Sequence, residues 1–186
     1  MEQIKDEILA HKEVLDRVSK EMIDDIKKAS EMVIYTLKLG RKVILCGNGG
    51  SASDAQHIAA EFTGRFKTER EALPAIALNT DTSAMTAIAN DYGYNKVFSR
   101  QLQAIGLKGD LLIAISTSGN SQNVIEAIEQ AKNIGIKTIG LMGKDGGKMK
   151  KFCDISLVVP SDDTARIQEM HIMIGHILCM KVDGAF

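Results

Sequence analysis

Two loops of glycine and small polar residues are the parts of this 186-residue sequence best suited to chemistry. Residues 47–54 read GNGGSASD after an apolar run at 42–46, and residues 116–121 read STSGNS after another at 111–115. A helical pattern follows each loop, so free backbone amides, the positive end of the helix dipole and hydroxyl groups would face a ligand together. The pattern predicts an anion site, and two such loops in one small protein favour a sugar phosphate.

The first loop also fits a loose dinucleotide-binding pattern, because Gly47, Gly49 and Ala52 have the spacing G-x-G-x-x-A. That interpretation requires an acidic residue about 20 positions later for the ribose hydroxyls, and Asp81 comes too late for this role. A tight turn with an N-cap serine is a purely structural alternative. The residues alone leave both alternatives open, although the serine-rich loops favour a phosphomonoester.

His57 and Glu61 lie four residues apart in the helix predicted after the first loop, and therefore on one face of it. This spacing suits a metal ion, and it equally suits acid–base catalysis. The pattern H-x-x-x-E is common, so a pair on a helix surface is the alternative. Its position one to three turns beyond a predicted phosphate loop favours a functional role.

The final helical segment, predicted over 163–182, carries Gln168, His171 and His176 among apolar residues. Gln168 and His176 would be about 80° apart around the helix and roughly 12 Å apart along it, so they could share an ion only with extended side chains. A hydrogen-bonded core histidine is the alternative for each histidine. The apolar residues spread over more than one face, which predicts that part of this helix contacts another subunit.

Asn90 and Asp91 stand at the end of the helix predicted over 82–90. A carboxylate beside a sugar site could bind hydroxyl groups of the sugar. An ordinary Asn–Asp turn is the structural alternative.

The elements that must position these residues follow a regular alternation. Residues 2–39 contain no glycine or proline and predict two helices or one bent helix, with Gly40 at its end. Strands are predicted at 42–46, 74–78, 110–115, 137–142 and 155–159, and helices at 53–66, 82–90, 94–105, 121–134 and 163–182. Strands that are apolar throughout are typical of a parallel sheet covered on both faces. The pattern predicts a doubly wound α/β fold in one domain, with N-terminal helices at 1–40 and an α/β core at 41–186.

Composition excludes several classes of protein. A formal net charge of −1 gives no electrostatic basis for nucleic-acid binding. The three scattered cysteines argue against a disulfide framework, the charged start is unlike a signal peptide, and no apolar run is long enough for a membrane span. These observations predict a cytoplasmic protein. The N-terminal helices either cover the sheet or form a subunit interface.

Five stretches of the sequence resemble the sugar isomerase (SIS) domain family. They read CGNGGSASDAQHIAAEFTGRF, AIANDYGYNKVFSRQL, ISTSGNSQNVIEAI, LMGKDGGKM and RIQEMHIMIGHILC. The resemblance runs from about residue 41 to 182. It implies a three-layer α/β/α sandwich with a five-stranded parallel, flavodoxin-like sheet, and a homotetramer with active sites at the subunit interfaces.

The resemblance also implies an activity. The reaction would convert sedoheptulose 7-phosphate to D-glycero-D-manno-heptose 7-phosphate through a cis-enediol(ate), as the first step of bacterial heptose synthesis for lipopolysaccharide, lipooligosaccharide or capsule. One zinc ion per subunit would be held by His57, Glu61, Gln168 and His176, with Glu61 as the base and His176 as the acid. Besides Glu61 and Gln168, the implied substrate contacts are Asn48, Gly49, Gly50, Ser51, Asn90, Asp91, Ser116, Thr117, Ser118 and Ser121.

Two other functions belong to the same fold. One branch binds the bacterial replication initiator as a non-enzymatic tetramer, but it lacks the residues that match Glu61 and His176. Other SIS domains sense sugar phosphates in transcriptional regulators, where they are joined to a DNA-binding domain. The presence of Glu61 and His176 favours the enzyme.

Overall fold

A computed structural model describes residues 1–186 and contains seven α-helices and five strands. The helices are α1 (Glu2–Glu21), α2 (Ile23–Lys38), α3 (Gly50–Thr63), α4 (Thr82–Tyr92), α5 (Val97–Ile105), α6 (Gln122–Asn133) and α7 (Thr164–Asp183). The strands are β1 (Val43–Gly47), β2 (Ala75–Ala77), β3 (Leu111–Ser116), β4 (Lys137–Met142) and β5 (Ile155–Val158). Short 3-10 turns at 94–96 and 149–151 complete the elements. No helix has the length and apolar character needed to cross a bilayer.

The five strands form one fully parallel sheet in the order β2-β1-β3-β4-β5. Apolar side chains are buried on both faces of the sheet, in two separate clusters. The predicted three-layer α/β fold with a flavodoxin-like sheet is therefore confirmed. In such sheets the strand order reverses between β1 and β3, and ligands bind in the crevice outside the carboxyl ends of these two strands.

Strand register brings the two small-residue loops to that crevice. Gly47 at the end of β1 is paired with Ile115 of β3, one residue before Ser116 ends that strand. Both chains leave the sheet at the same edge, and each then enters a helix, α3 or α6. The two loops, which are far apart in sequence, therefore lie next to each other in the structure.

Several helix boundaries differ from the sequence-based prediction. Helix α3 begins at Gly50 instead of residue 53, because Gly49 serves as its N-cap with φ of 56°, a conformation that glycine tolerates best. The helix predicted over 94–105 is a 3-10 turn followed by α5. Helix α4 continues to Tyr92, two residues beyond the predicted end.

The two N-terminal helices pack on the α7 side of the sheet. Val14 and Val18 of α1, and Val33 and Leu37 of α2, are buried in the same apolar cluster as the sheet. Arg166 of α7 also binds the Glu7 carboxylate of α1. Helix α2 therefore covers part of the sheet, α1 packs mainly on α2 and α7, and the alternative of a subunit interface stays a prediction. The outer side chains of α1 remain exposed.

Helix α7 buries much of its apolar surface against the rest of this chain. Met170, Ile174 and Leu178 are fully buried, whereas Met180 is the large apolar residue of this helix that is exposed. Helix α7 packs against both α2 and α3 as well as the sheet, so more than one of its faces is internal. Met173 and Ile177 are only partly buried, and the contact of part of this helix with another subunit stays a prediction.

Candidate active site

Three side chains predicted from the sequence meet at one point on the surface. The ligand atoms of His57, Glu61 and His176 all lie within 4.8 Å of one another. His57 Nε2 is 3.2 Å from Glu61 Oε1 and 3.5 Å from His176 Nε2. His57 is half exposed and Glu61 is mostly buried, so the group is open to a ligand on one side.

Packing of α3 on α7 creates this meeting. Gln168 near the start of α7 lies against Gly50 at the start of α3, and Gly175 lies against Ile58 further along. The two helices therefore run side by side in the same direction. A side chain at position 175 would collide with Ile58, so the glycine permits the close approach that brings His176 to His57.

Aromatic contacts fix the His176 ring. Phe66 stacks on it with ring centroids 5.3 Å apart and an interplanar angle of 23°. His57 meets it edge-on, at 5.0 Å and 72°. Phe66, in the loop after α3, is a contact that the sequence analysis did not identify, since nothing local distinguishes this residue.

The donor set fits a metal ion. Neutral imidazole nitrogen and carboxylate oxygen are the ligands that zinc prefers. His57 Nε2 faces both the Glu61 carboxylate and the second imidazole nitrogen, and one ring N–H cannot serve two partners well. A cation between the three groups would accept all three lone pairs at once.

The first loop is held by a network of amide side chains. Asn48 and Asn123 exchange two hydrogen bonds of 2.9 Å each, and the Tyr94 hydroxyl donates to Asn48 Oδ1 at 3.1 Å. Asn123 is buried in α6, so this pair joins the first loop to the helix that follows the second. Asn123 and Tyr94 could not be selected from the sequence, because their contacts with Asn48 join residues 75 and 46 positions apart.

The second loop carries the predicted hydroxyl groups. Ser116 Oγ and Ser121 Oγ are 2.9 Å apart, and Ser118 Oγ accepts a hydrogen bond from the Asn120 amide at 3.2 Å. Asn120 Oδ1 in turn accepts from the Lys148 amide, so the loop after β4 supports this one. Hydrogen bonds within the loop and from the loop after β4 therefore hold these groups in place.

The other residues predicted to bind substrate or metal lie in different parts of the structure. Asn90 and Asp91 lie within the last turn of α4 and not in a turn after it, so the interpretation as an Asn–Asp turn is wrong. The Asn90 amide donates to Asp91 Oδ1 at 2.8 Å, and both residues are exposed. Gln168 lies against Gly50, beside the first loop, whereas His176 is two turns further along α7.

Asp54 is a further polar residue of this region that the sequence analysis did not select. It lies one turn before His57 on α3, and its Oδ2 atom is buried without a hydrogen-bond partner. Burial raises the pKa of the Asp54 carboxyl, and His57 only partly offsets this effect. An unpartnered carboxyl oxygen at a helix that leaves a binding loop is suited to a ligand hydroxyl or a water molecule.

The two histidines of α7 have different surroundings. His171 is fully buried, and its Nε2 hydrogen-bonds with the Met142 carbonyl at 3.0 Å. Burial lowers the pKa of His171 to about 4, so it is a neutral core histidine. The core alternative is therefore right for His171 and wrong for His176, which lies at the surface cluster.

Fold and site together define a doubly wound α/β protein with its ligand crevice at the carboxyl edge of the sheet. Residues 8–143 match the family model described as SIS domain. A phosphoheptose isomerase from Aliarcobacter butzleri is 62% identical over 178 residues, which are 96% of this chain and 94% of that relative. A phosphoheptose isomerase from Nitratiruptor sp. is 59% identical over 186 residues, the whole of both chains.

Solved structures agree with these relatives. The phosphoheptose isomerase of Neisseria gonorrhoeae is 44% identical and superposes with a TM-score of 0.94 over 98% of each chain. That of Francisella tularensis is 36% identical, with a TM-score of 0.96 over 98% of this chain and 97% of the other. The chain belongs to the phosphoheptose isomerase family of SIS domain proteins.

Proposed function

We propose that the protein is the isomerase that converts sedoheptulose 7-phosphate to D-glycero-D-manno-heptose 7-phosphate, at the start of bacterial heptose synthesis for a surface glycan. Relatives at 56–62% identity named phosphoheptose isomerase support this activity. The single structural observation that carries it is the meeting of His57, Glu61 and His176, whose ligand atoms lie within 4.8 Å of one another. The non-enzymatic alternative, binding of the replication initiator, is not favoured by these relatives.

The chemistry requires two proton transfers and no change in composition. One proton moves from C1 to C2 of the sugar, and one moves from O1 to O2. Glu61 would take the C1 proton to form a cis-enediol(ate) and return it to C2. His176 would move the oxygen-bound proton, and Phe66 holds its ring in a fixed plane for that task.

A metal ion completes the proposal. We propose one zinc ion per subunit, held by His57, Glu61, Gln168 and His176. When bound, zinc polarises a carbonyl oxygen and stabilises developing negative charge. The donor atoms of the two histidines and the carboxylate support it. Gln168 remains a prediction as the fourth ligand, and an amide oxygen is a weak ligand that would make zinc exchangeable.

The phosphate would bind at the second loop. Ser116, Thr117, Ser118 and Ser121 precede α6, whose N-terminal amides and dipole favour an anion. Asn48, Gly49, Gly50, Ser51, Asn90 and Asp91 are the further proposed substrate contacts. Because both substrate and product are phosphorylated and so retained inside the cell, the proposal includes a cytoplasmic location and no nucleic-acid partner.

A direct assay tests the proposal. Purified protein is incubated with sedoheptulose 7-phosphate in D₂O, and the product is followed by NMR. Formation of a heptose 7-phosphate is the expected result, and deuterium at C2 measures how far the proton held by Glu61 exchanges with solvent before it is returned. If only the starting sugar remains while the replication initiator is retained on the immobilised protein, the binding function replaces the enzymatic one.

Replacing Ser118 with alanine should raise KM for the sugar phosphate roughly tenfold, with a smaller fall in kcat. The hydroxyl would contact the phosphate equally in the ground and transition states, and a hydrogen bond to a charged group contributes about 1.5 kcal/mol or more. Steady-state kinetics measure both constants, and Ser19→Ala on the exposed side of α1 is the matched control. An unchanged KM with a collapsed kcat would assign this loop to the chemical step.

The protein should assemble as a homotetramer, with active sites completed at subunit interfaces. The outer face of α1 carries Ile4, Ile8 and Leu9, which are at least half exposed in the single chain. Introducing glutamate at Ile4 and Ile8 should give smaller species in sedimentation velocity and lower activity, because charges replace apolar contacts. Deleting residues 1–39 would be a poorer test, since core residues such as Val33 would be lost.

The matched control for assembly is the substitution of Lys5 and Lys12, which are polar and exposed on the same helix, by glutamine. Full activity of a monomeric Ile4→Glu/Ile8→Glu variant would show that each chain holds a complete site.

A further inference from the structure

A buried ion pair joins the C-terminal ends of the two helices that carry the cluster. Arg70 Nε lies 2.9 Å from Asp183 Oδ1, and the two side chains are only 2% and 4% exposed. Arg70 belongs to the segment after α3, and Asp183 is the last residue of α7. Buried ion pairs add little net stability on average, because desolvation offsets their attraction, so this one invites a functional explanation.

Arg70 caps the C-terminus of α3. Its Nη2 donates to the Glu61 carbonyl at 2.8 Å, and its Nη1 donates to the Phe62 carbonyl at 3.0 Å. Carbonyls in the last turn of a helix have no partner within the helix, and a positive charge there also complements the helix dipole. Since Glu61 lies in this last turn, Arg70 holds the backbone that carries the carboxylate.

Asp183 also binds the segment that follows α3. Its Oδ2 accepts hydrogen bonds from the amides of Lys67 and Thr68, at 2.7 and 2.9 Å. Burial by itself raises the pKa of Asp183, but these amides and Arg70 together keep it below its ordinary value. The carboxylate is therefore ionised, and it ties α7 to the segment that contains Phe66, the ring stacked on His176.

We propose that Arg70 and Asp183 are positioning residues, which clamp the ends of α3 and α7 and so set the placement of Glu61 relative to His176. The contacts are continuous in the structure. Asp183 binds Arg70, and Arg70 binds the Glu61 carbonyl. Asp183 also binds the segment that contains Phe66, which stacks on His176. The catalytic consequence rests on the proposed function, whereas the effect on geometry does not.

The chain provides a matched control for the test. Asp110 is also a buried carboxylate that accepts two backbone amides and one cation, those of Lys42 and Leu107 and the Lys42 ammonium. Its hydrogen-bond partners, Lys42 and Leu107, belong neither to α3 nor to α7 nor to the segment that contains Phe66 and Arg70. Asp183→Asn and Asp110→Asn remove the same charge from similar surroundings.

Asp183→Asn should lower kcat about 10- to 100-fold, because small misplacements of reacting groups have effects of this size. KM for sedoheptulose 7-phosphate should stay within roughly threefold, since the phosphate loop is untouched. Cobalt(II) affinity, measured by visible absorption, should fall about tenfold or more. Asp110→Asn should lose comparable thermal stability with kcat and cobalt(II) affinity near those of the wild type.

Wild-type kcat and cobalt(II) affinity in Asp183→Asn would overturn the proposal, as would equal losses in Asp110→Asn. Histidine ring signals of the metal-free proteins separate this test from the assay of function. The signals of His57 and His176 should shift in Asp183→Asn and not in Asp110→Asn, even if the wild type does not isomerise the sugar. Should Asp183→Asn fail to fold, Arg70→Lys retains the charge but loses the forked contact, and the same comparisons apply.

Discussion

Replacing Glu61 with glutamine should leave the fold intact and lower kcat of the isomerisation by roughly 10²–10⁴-fold, the usual effect of losing a general base. Glutamine has nearly the same shape as glutamate but cannot take a proton from carbon. Glu61 is the carboxylate that lies with both histidines, and its backbone is held by Arg70, so no neighbouring group replaces it without movement. Kinetics with sedoheptulose 7-phosphate measure the loss.

Glu31→Gln, at an exposed position of α2, is the control for this substitution. Thermal unfolding should show both variants close to the wild type. A Glu61→Gln variant that retains near-normal kcat would remove Glu61 from the proton transfer at carbon, and would direct attention to Asp54, the other carboxylate on this helix.

Dialysis against a chelator should lower kcat on the order of 10²-fold, and added zinc should restore it, because charge stabilisation by a metal ion contributes several kcal/mol. Two imidazoles and a carboxylate within 4.8 Å of one another bind zinc only moderately tightly when the fourth ligand is an amide. We therefore expect removal within an ordinary dialysis. Elemental analysis before and after treatment gives the zinc content of each chain.

A pair of histidine variants localises the ion. His57→Gln should bind less zinc and lose most activity, whereas His11→Gln, which changes a histidine on α1 bonded to Glu169, should keep both. Full activity in protein without detectable metal would exclude zinc from the reaction.

Local sequence was sufficient for much of this protein. The alternation of apolar runs with helical patterns predicted all five strands and the doubly wound fold, because strands buried on both faces are mostly apolar. The His57–Glu61 pair was also predictable, since residues four apart on a helix share a face. The two loops followed from the same logic, because parallel strands end at one edge of a sheet.

Tertiary packing decided the rest. His176 is 119 residues from His57, and only the alignment of α7 with α3, allowed by Gly175 against Ile58, brings their rings together. The Asn48–Asn123 pair and the Arg70–Asp183 pair likewise join distant segments. The physical reason is the same in each case: periodicity records which face of an element is apolar, and only the packed chain determines what that face meets.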